Sequence, residues 1–350
     1  MEHRVIVTAD DFGACDYIDN GIKEAIKKGV VSCVSAFINF EPRKSSHPYG
    51  KYQGSVKAIQ QLLHEVQTSP EYARNRKIRV GLHFNFHAGT PVFPFENKIR
   101  SLLLNKRVDG KRIFKNIEKF NPDKVVEREF IKELHAQYSK FFNRLGFAPD
   151  HFSSHFPVIF MTPHFFDLVC ELAKPLKIPI RNPFLIWQTK NDSKNSANRD
   201  ALSEAKKFFK KKSKTKEIGL KRAIKMIDTL DDTLLSSWKN KNIRSLKKHG
   251  IPFPDYTNCH LYGNGTDAAA ADNIMNHLLS FHPEVYKKQA SRPVVTEVIT
   301  HVGLGRINPA KIPNGIDPSY FTGRKEELSL VGSSPVLRKR KLYSYKEVFA

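Results

Sequence analysis

Apolar segments of strand length recur along the chain, at residues 4–9, 30–38, 77–84, 147–153, 177–181 and 294–300. Between several of them the spacing changes to that of a helix with one apolar face. Ile18, Ile22, Ala25 and Ile26 share a face that ends near Gly29, and Val125 to Leu145 repeats the pattern with charges opposite. Pro163 to Lys174 predicts a third helix, with Phe165, Phe166, Val169 and Leu172 turned inward. Strands alternating with helices predict a parallel α/β sheet covered on both faces, either doubly wound or closed into a (β/α) barrel. Two intervening stretches, near 41–75 and 187–250, are long and polar and read as helical insertions or lids. At 350 residues, 40% hydrophobic, the chain matches one barrel-sized domain spanning 1–350 rather than two smaller ones.

The positions of polar residues decide between the two topologies. Asp10 and Asp11 follow the first apolar run, His83 closes the third, His151 and His155 end the fourth, and His301 ends the last. Residues gathered at the carboxyl ends of several strands mark the active face of a (β/α) barrel. The run Val5-Ile6-Val7-Thr8-Ala9-Asp10-Asp11-Phe12-Gly13 leads a strand into adjacent carboxylates, which repel unless water, a cation or a reaction offsets the cost. The alternative is a solvated acidic turn capping the next helix through Asp11 or Asp16. Each histidine alone is an ordinary half-buried side chain, but one carboxylate with two imidazoles suits a metal with open coordination positions. His151 and His155, four apart, share a face, so one can bind metal while the other orients it or meets substrate. His87 lies past a strand end and is substrate-facing or incidental. Adjacent strand residues point to opposite sides, so both acids serve one site only if the chain turns at Asp10-Asp11, a turn that Phe12-Gly13 makes feasible.

Composition adds a strong positive charge. Lys and Arg number 58 against 35 Asp and Glu, a net charge of +23. Such a field attracts anions, and nucleic acid, anionic membrane and phosphorylated or acidic substrates are all compatible with it. The densest basic stretch, Lys206 to Lys225, carries neither aromatic stacking platforms nor a nucleic-acid-binding module and reads as a solvated helix or an anion surface. Cys15, Cys33, Cys170 and Cys259 have no zinc or disulfide spacing and read as reduced thiols. The charged start (Glu2, His3, Arg4) with a short apolar run is unlike a signal peptide, and no run reaches the length of a membrane span. A soluble, cytoplasmic protein is expected.

These motifs resemble the YdjC-like (ChbG-type) carbohydrate deacetylases. The likeness runs through Thr8-Ala9-Asp10-Asp11-Phe12-Gly13, Asn20-Gly21-Ile22, Ser32 to Asn39, Gly81-Leu82-His83-Phe84, Asp150 to His155, Ile180-Arg181, Pro254-Asp255 and Thr296-Glu297 through Gly303. It reaches the tail at Arg324-Lys325-Glu326-Glu327-Leu328 and Leu342-Tyr343-Ser344-Tyr345. The resemblance implies an irregular (β/α) barrel that removes N-acetyl groups from amino-sugar oligosaccharides with one divalent metal, zinc or magnesium. It further implies metal binding by Asp11, His83 and His155, with Asp10 as general base and His301 as general acid. Arg181, His151, Asn39 and Glu297 are assigned to substrate binding. The substrate is an acetylated, chitooligosaccharide-like sugar with or without phosphate, and a homodimer is compatible with the family. Four positions depart from the family pattern: Ser153 replaces an aspartate, Pro157 and Ile159 replace histidines, and Val302 replaces a proline. These changes are expected to remove partners that fix a ligand's ring orientation. A two-histidine, one-carboxylate iron oxygenase is disfavoured by the strand and helix alternation. A polyanion-binding protein on a degenerate barrel, using Lys206 to Lys225, is the non-enzymatic alternative.

Overall fold

The computed structural model describes residues 2–43, 51–108, 110–115, 121–155, 162–182, 232–258, 292–305 and 319–349. Its strands are β1 (His3–Phe12), β2 (Cys33–Ala36), β3 (Arg79–Phe84), β4 (Leu103–Val108), β5 (Lys111–Phe114), β6 (Phe152–Ser154), β7 (Tyr256–Asn258) and β8 (Val294–Thr300). The helices are α1 (Asp16–Lys27), α2 (Ser55–Thr68), α3 (Glu127–Leu145), α4 (Pro163–Leu176), α5 (Asp232–His249), α6 (Ser319–Ser333), α7 (Pro335–Lys339) and α8 (Tyr345–Phe349). The main sheet runs β6-β3-β2-β1-β8-β7 with every neighbouring pair parallel. The expected α/β class is borne out as a curled, half-barrel parallel sheet with helices, whose edges among the described residues are β6 and β7.

Alternation along the strands separates two environments. Val5, Val7, Ala9, Val34, Ala36, Val80, Leu82, Phe84 and Phe152 join the large core under the helices. The intervening residues are polar or form a small second cluster of Ile6, Cys33, Val295 and Tyr345. Thr8, Asp10, Ser35, His83, Ser153 and Glu297 are all buried. Such a concentration of polar groups in a sheet interior is costly unless they bond one another or a ligand.

Several boundaries differ from the sequence expectation. The 147–153 run becomes a strand at Phe152, although Asp150 N already donates to Val80 O at 3.0 Å and Leu82 N to His151 O at 2.9 Å, and 177–181 contributes a single bridge, Phe152 with Ile180. The described part of 41–75 is largely α2, which buries Ala58, Ile59, Leu62 and Val66 and so is a crossover helix rather than a lid. The β4-β5 hairpin falls outside the apolar runs, because its strands are charged and only partly buried. Residues 187–231, including the basic stretch from Lys206 to Lys225, lie outside the described residues. Among the described residues no disulfide forms, and Cys33 and Cys170 are buried thiols. No helix among them is long and apolar enough to cross a membrane.

Close approach of α1 to the loop after β8 fixes where His301 emerges. A Cβ on Gly21 would lie 2.4 Å from the Cα of Gly303, backbone that cannot yield as a side-chain tip can. Tyr17 tightens the same contact by donating from its hydroxyl to the Phe321 carbonyl at 2.6 Å. Gly21→Ala is expected to lower unfolding stability by roughly 1–3 kcal/mol, the usual cost of overpacking. Urea denaturation measures this, and an unchanged midpoint would contradict the packing described.

Candidate metal centre

Strand β1 reaches its carboxylates through a bulge. Its pairing with β2 runs Thr8↔Cys33 and Ala9↔Val34, then slips to Phe12↔Ala36. Asp11 occupies the left-handed region with φ 75°, followed by Gly13 at 86°. Aspartate tolerates that conformation better than most residues, though it still costs of the order of 1 kcal/mol. Tertiary bonds hold the turn: Phe37 N donates to Phe12 O at 2.8 Å, Gly13 N to Asp19 Oδ1 at 2.7 Å, and Ser55 Oγ to Gly13 O at 2.7 Å. Asp19, which also accepts from Tyr52 at 2.8 Å, is pushed up to about 7 by burial.

The turn brings Asp11 to both expected histidines. Asp11 Oδ1 lies 3.0 Å from His155 Nδ1 and 3.4 Å from His83 Nε2. One donor atom from each residue lies within 4.8 Å of the others. Donors bound to one ion at roughly 2.0–2.2 Å in tetrahedral geometry sit roughly 3–3.5 Å apart, which these spacings match. The buried Asp11 Oδ1 makes no hydrogen bond of acceptable geometry despite both imidazoles nearby. A buried carboxylate oxygen left so, facing two imidazole nitrogens, fits a cation site. Burial alone would raise the Asp11 carboxyl, but His155, Arg324 and His83 hold it well below its usual value. Burial lowers His83, favouring the neutral imidazole that a metal requires.

Ser153 keeps the ring-orienting role expected to be lost with the aspartate it replaces. Its hydroxyl sits 2.7 Å from His83 Nδ1 and 3.0 Å from Ser35 Oγ. Backbone pairing of His83 with Ser153, and His155 N donating to Phe84 O at 2.8 Å, sets both imidazoles beside the end of β3. Val302 is core, while Pro157 and Ile159 lie outside the described residues.

Asp10 faces the same centre, with Oδ2 3.9 Å from His83 Nε2. Arg181 grips it bidentately, Nη1 to Oδ2 at 2.6 Å and Nη2 to Oδ1 at 2.8 Å. Burial opposes ionisation of Asp10, but Arg181, His83 and His301 prevail and hold it at about 2. His301 is lowered to about 4, mainly by burial and by the Arg324 charge, against Asp11 and Asp10, which raise it.

The four residues assigned to substrate binding are all engaged by the protein's own groups. Arg181 is buried between Asp10 and Glu297, and Glu297 also accepts from Thr8 Oγ1 at 2.7 Å. Asn39 donates to the carbonyls of Ala88 and Thr90 at 2.9 and 3.2 Å and accepts from Asn85, anchoring the loop after β3. His151 bonds Ser35 and stacks on Tyr345 with ring centroids 4.3 Å apart. His87 is buried near His155, which with burial drops it to about 3.

Arg324 is the residue that the sequence reasoning missed. Fully buried on α6, it donates from Nη2 to Asp11 Oδ2 at 2.5 Å, so one oxygen of Asp11 is committed while the other faces the imidazoles. One turn on, Glu327 accepts from His301 N at 2.7 Å and Thr300 Oγ1 at 2.8 Å, and burial raises it to about 7. The tail motif Arg324-Lys325-Glu326-Glu327 was the available signal, but nothing in its spacing points toward Asp11.

The chain is 30% identical over 191 residues to a chitooligosaccharide deacetylase of Proteus mirabilis, covering 55% of this chain and 63% of that one. A carbohydrate deacetylase of Mus musculus is 33% identical over 153 residues, 43% of this chain and 41% of that protein. The matches thus span less than two thirds of each relative. The crystal structure of an Enterococcus faecalis V583 protein to which cellobiose-phosphate cleavage is ascribed superposes with a TM-score of 0.60 at 18% identity over the whole of both chains, a likeness of fold. The model of the family described as YdjC-like protein matches residues 4–340, and the chain belongs to that family.

Proposed function

We propose that this protein is a metal-dependent hydrolase that removes the N-acetyl group from an acetylated amino-sugar oligosaccharide. The observation that carries the reading is the convergence of Asp11, His83 and His155 on one point beside an ionised, arginine-held Asp10. The names of the curated relatives support the sugar amide as substrate class.

Asp11, His83 and His155 would hold a divalent cation, which when bound would lower the pKa of a water and polarise the acetyl carbonyl. Asp10 accepts the proton of the attacking water. Both its oxygens are oriented by Arg181, and each keeps a further lone pair for this purpose. At about 2, Asp10 is a weak base, so the proton passes on as the sugar nitrogen becomes basic. His301, a neutral imidazole at neutral pH, takes up that proton and delivers it to the departing nitrogen. Arg324 holds Asp11 Oδ2 and leaves Oδ1 facing the point where a cation would be held.

Purified protein supplied with zinc, magnesium or manganese is expected to release acetate from acetylated chitooligosaccharides, tested with and without a 6-phosphate, and to stop when a chelator is added. Asp11→Ala is expected to abolish release; acetate formation that survives both treatments would refute the assignment. Arg324→Gln is expected to lower kcat about tenfold with little change in KM, from loss of a charge-assisted bond of roughly 1.5–3 kcal/mol.

The Asp10 pair also predicts a pH dependence of stability. Its folded pKa, about 2, is depressed from 3.8, so its contribution is present above the unfolded value and lost as pH falls through about 2. Wild type is expected to exceed Asp10→Asn by roughly 2 kcal/mol above pH 5, with the gap closing as the pH approaches 2. Urea unfolding across that range measures it, and a constant gap would show that the carboxylate charge is not what stabilises the pair.

A further inference from the structure

We propose that Asp150 and His151 are positioning residues for the metal ligand His83, acting through Ser35 and Ser153. The proposal rests on the reading of His83 as a ligand. A continuous path leads away from the centre: His83 Nδ1 is 2.7 Å from Ser153 Oγ, which is 3.0 Å from Ser35 Oγ, which is 2.8 Å from His151 Nε2. His151 Nδ1 then faces Asp150 Oδ2 at 3.6 Å. The four linked side chains are buried, so water does not reset their hydrogen bonds.

Each hydroxyl has one proton, so the chain can run in two directions. In the first, His83 Nδ1–H donates to Ser153, Ser153 to Ser35, and Ser35 to His151 Nε2, which puts the His151 proton on Nδ1. His83 Nε2 then presents a lone pair toward Asp11. In the second, every bond reverses, His83 Nε2 carries a hydrogen, and no lone pair is offered to a cation. Arg181 Nη2, which can only donate, reaches Ser35 Oγ at 3.3 Å and is compatible with either direction.

Asp150 selects the first. Its Oδ1 accepts from Lys346 N at 3.1 Å and its Oδ2 from the Cys33 thiol at 3.5 Å, so it is an acceptor pole. A His151 Nδ1 lone pair would set two acceptors against each other in the interior, whereas an N–H points its dipole at the carboxylate. The separation is too long for a hydrogen bond, so the bias is electrostatic. The ring cannot swing away. Tyr345 stacks on one face at 16°, and a Cβ on Gly81 would lie 2.4 Å from His151 Cε1 on the β3 side. Asp150 thereby fixes, from the far end of the interior, which nitrogen of His83 carries the hydrogen, leaving the Nε2 lone pair for a cation.

The test is zinc affinity of the full chain, measured by calorimetry with a competing chelator after metal removal, alongside thermal unfolding to confirm folding. Asp150→Asn and Ser35→Ala are each expected to weaken zinc binding about tenfold, the range seen when an outer partner of a ligating histidine is lost. The double variant is expected to be no weaker than either single one, because the chain is broken once; additive losses would indicate two unrelated structural effects and overturn the proposal. Wild-type affinity in a folded Asp150→Asn protein also overturns it, and that isosteric variant decides alone if Ser35→Ala fails to fold. Cys33, Asp150 and His151 bring donor atoms within 4.8 Å of one another. A second zinc in wild type that Cys33→Ser removes would assign them to a cation instead and overturn the relay. His83→Ala separates the two readings. If it binds zinc as wild type does, the ligand assignment itself fails; if it loses zinc while Asp150→Asn does not, the relay alone fails.

Discussion

Asp11 sits at φ 75° in a bulge of the central strand, and the centre depends on that single backbone choice. In regular pleating, Asp10 and Asp11 would face opposite sides of the sheet. The bulge turns both toward the end of β3, where the imidazoles of His83 and His155 stand within 3.4 Å of one Asp11 oxygen. The strain is offset by the bonds from Gly13 to Asp19, Ser55 to Gly13 and Phe37 to Phe12. Strain held by surrounding structure in this way is common where backbone shape serves chemistry.

Charge balance around the bulge follows the same logic. Two buried acids would repel and protonate, yet each has its own arginine: Arg181 on Asp10 and Arg324 on Asp11. The arginines come from distant parts of the chain, one after the bridge at Ile180 and one on α6. Both acids stay ionised at neutral pH, and one oxygen of Asp11 remains directed at the imidazoles. Glu297 completes the arrangement by sharing Arg181, so the guanidinium is held from behind while it orients Asp10. Removing either arginine would leave a buried charge without its partner, the costly case for ion pairs in an interior.

Much of this was legible in the residues themselves. The runs at 4–9, 77–84 and 294–300 appear as β1, β3 and β8, because long apolar segments with β-branched residues leave little choice of element. Strand ends in an α/β sheet converge on one side, which gathers the acids and histidines there, but the choice of Asp11, His83 and His155 among them came from the family resemblance. The surroundings of Arg181, Glu297, Asn39 and His151 were not legible. Their placement depends on which side chain lies across the interior, and a buried Arg181 between two acids reads in sequence like a surface arginine. Arg324 was hidden for a related reason: on a helix it shows no pattern that separates a core ion pair from a solvated charge. The charged hairpin of β4 and β5 lacks the apolar alternation by which strands are recognised.

The central claim is that one cation is shared by two imidazoles and one carboxylate oxygen. Zinc K-edge X-ray absorption on protein loaded with a single equivalent of zinc tests it most directly. The account predicts a first shell of nitrogen and oxygen near 2.0–2.1 Å with the scattering signature of two imidazoles, losing one in His155→Ala. A shell containing sulfur, or one unchanged by that substitution, would contradict it.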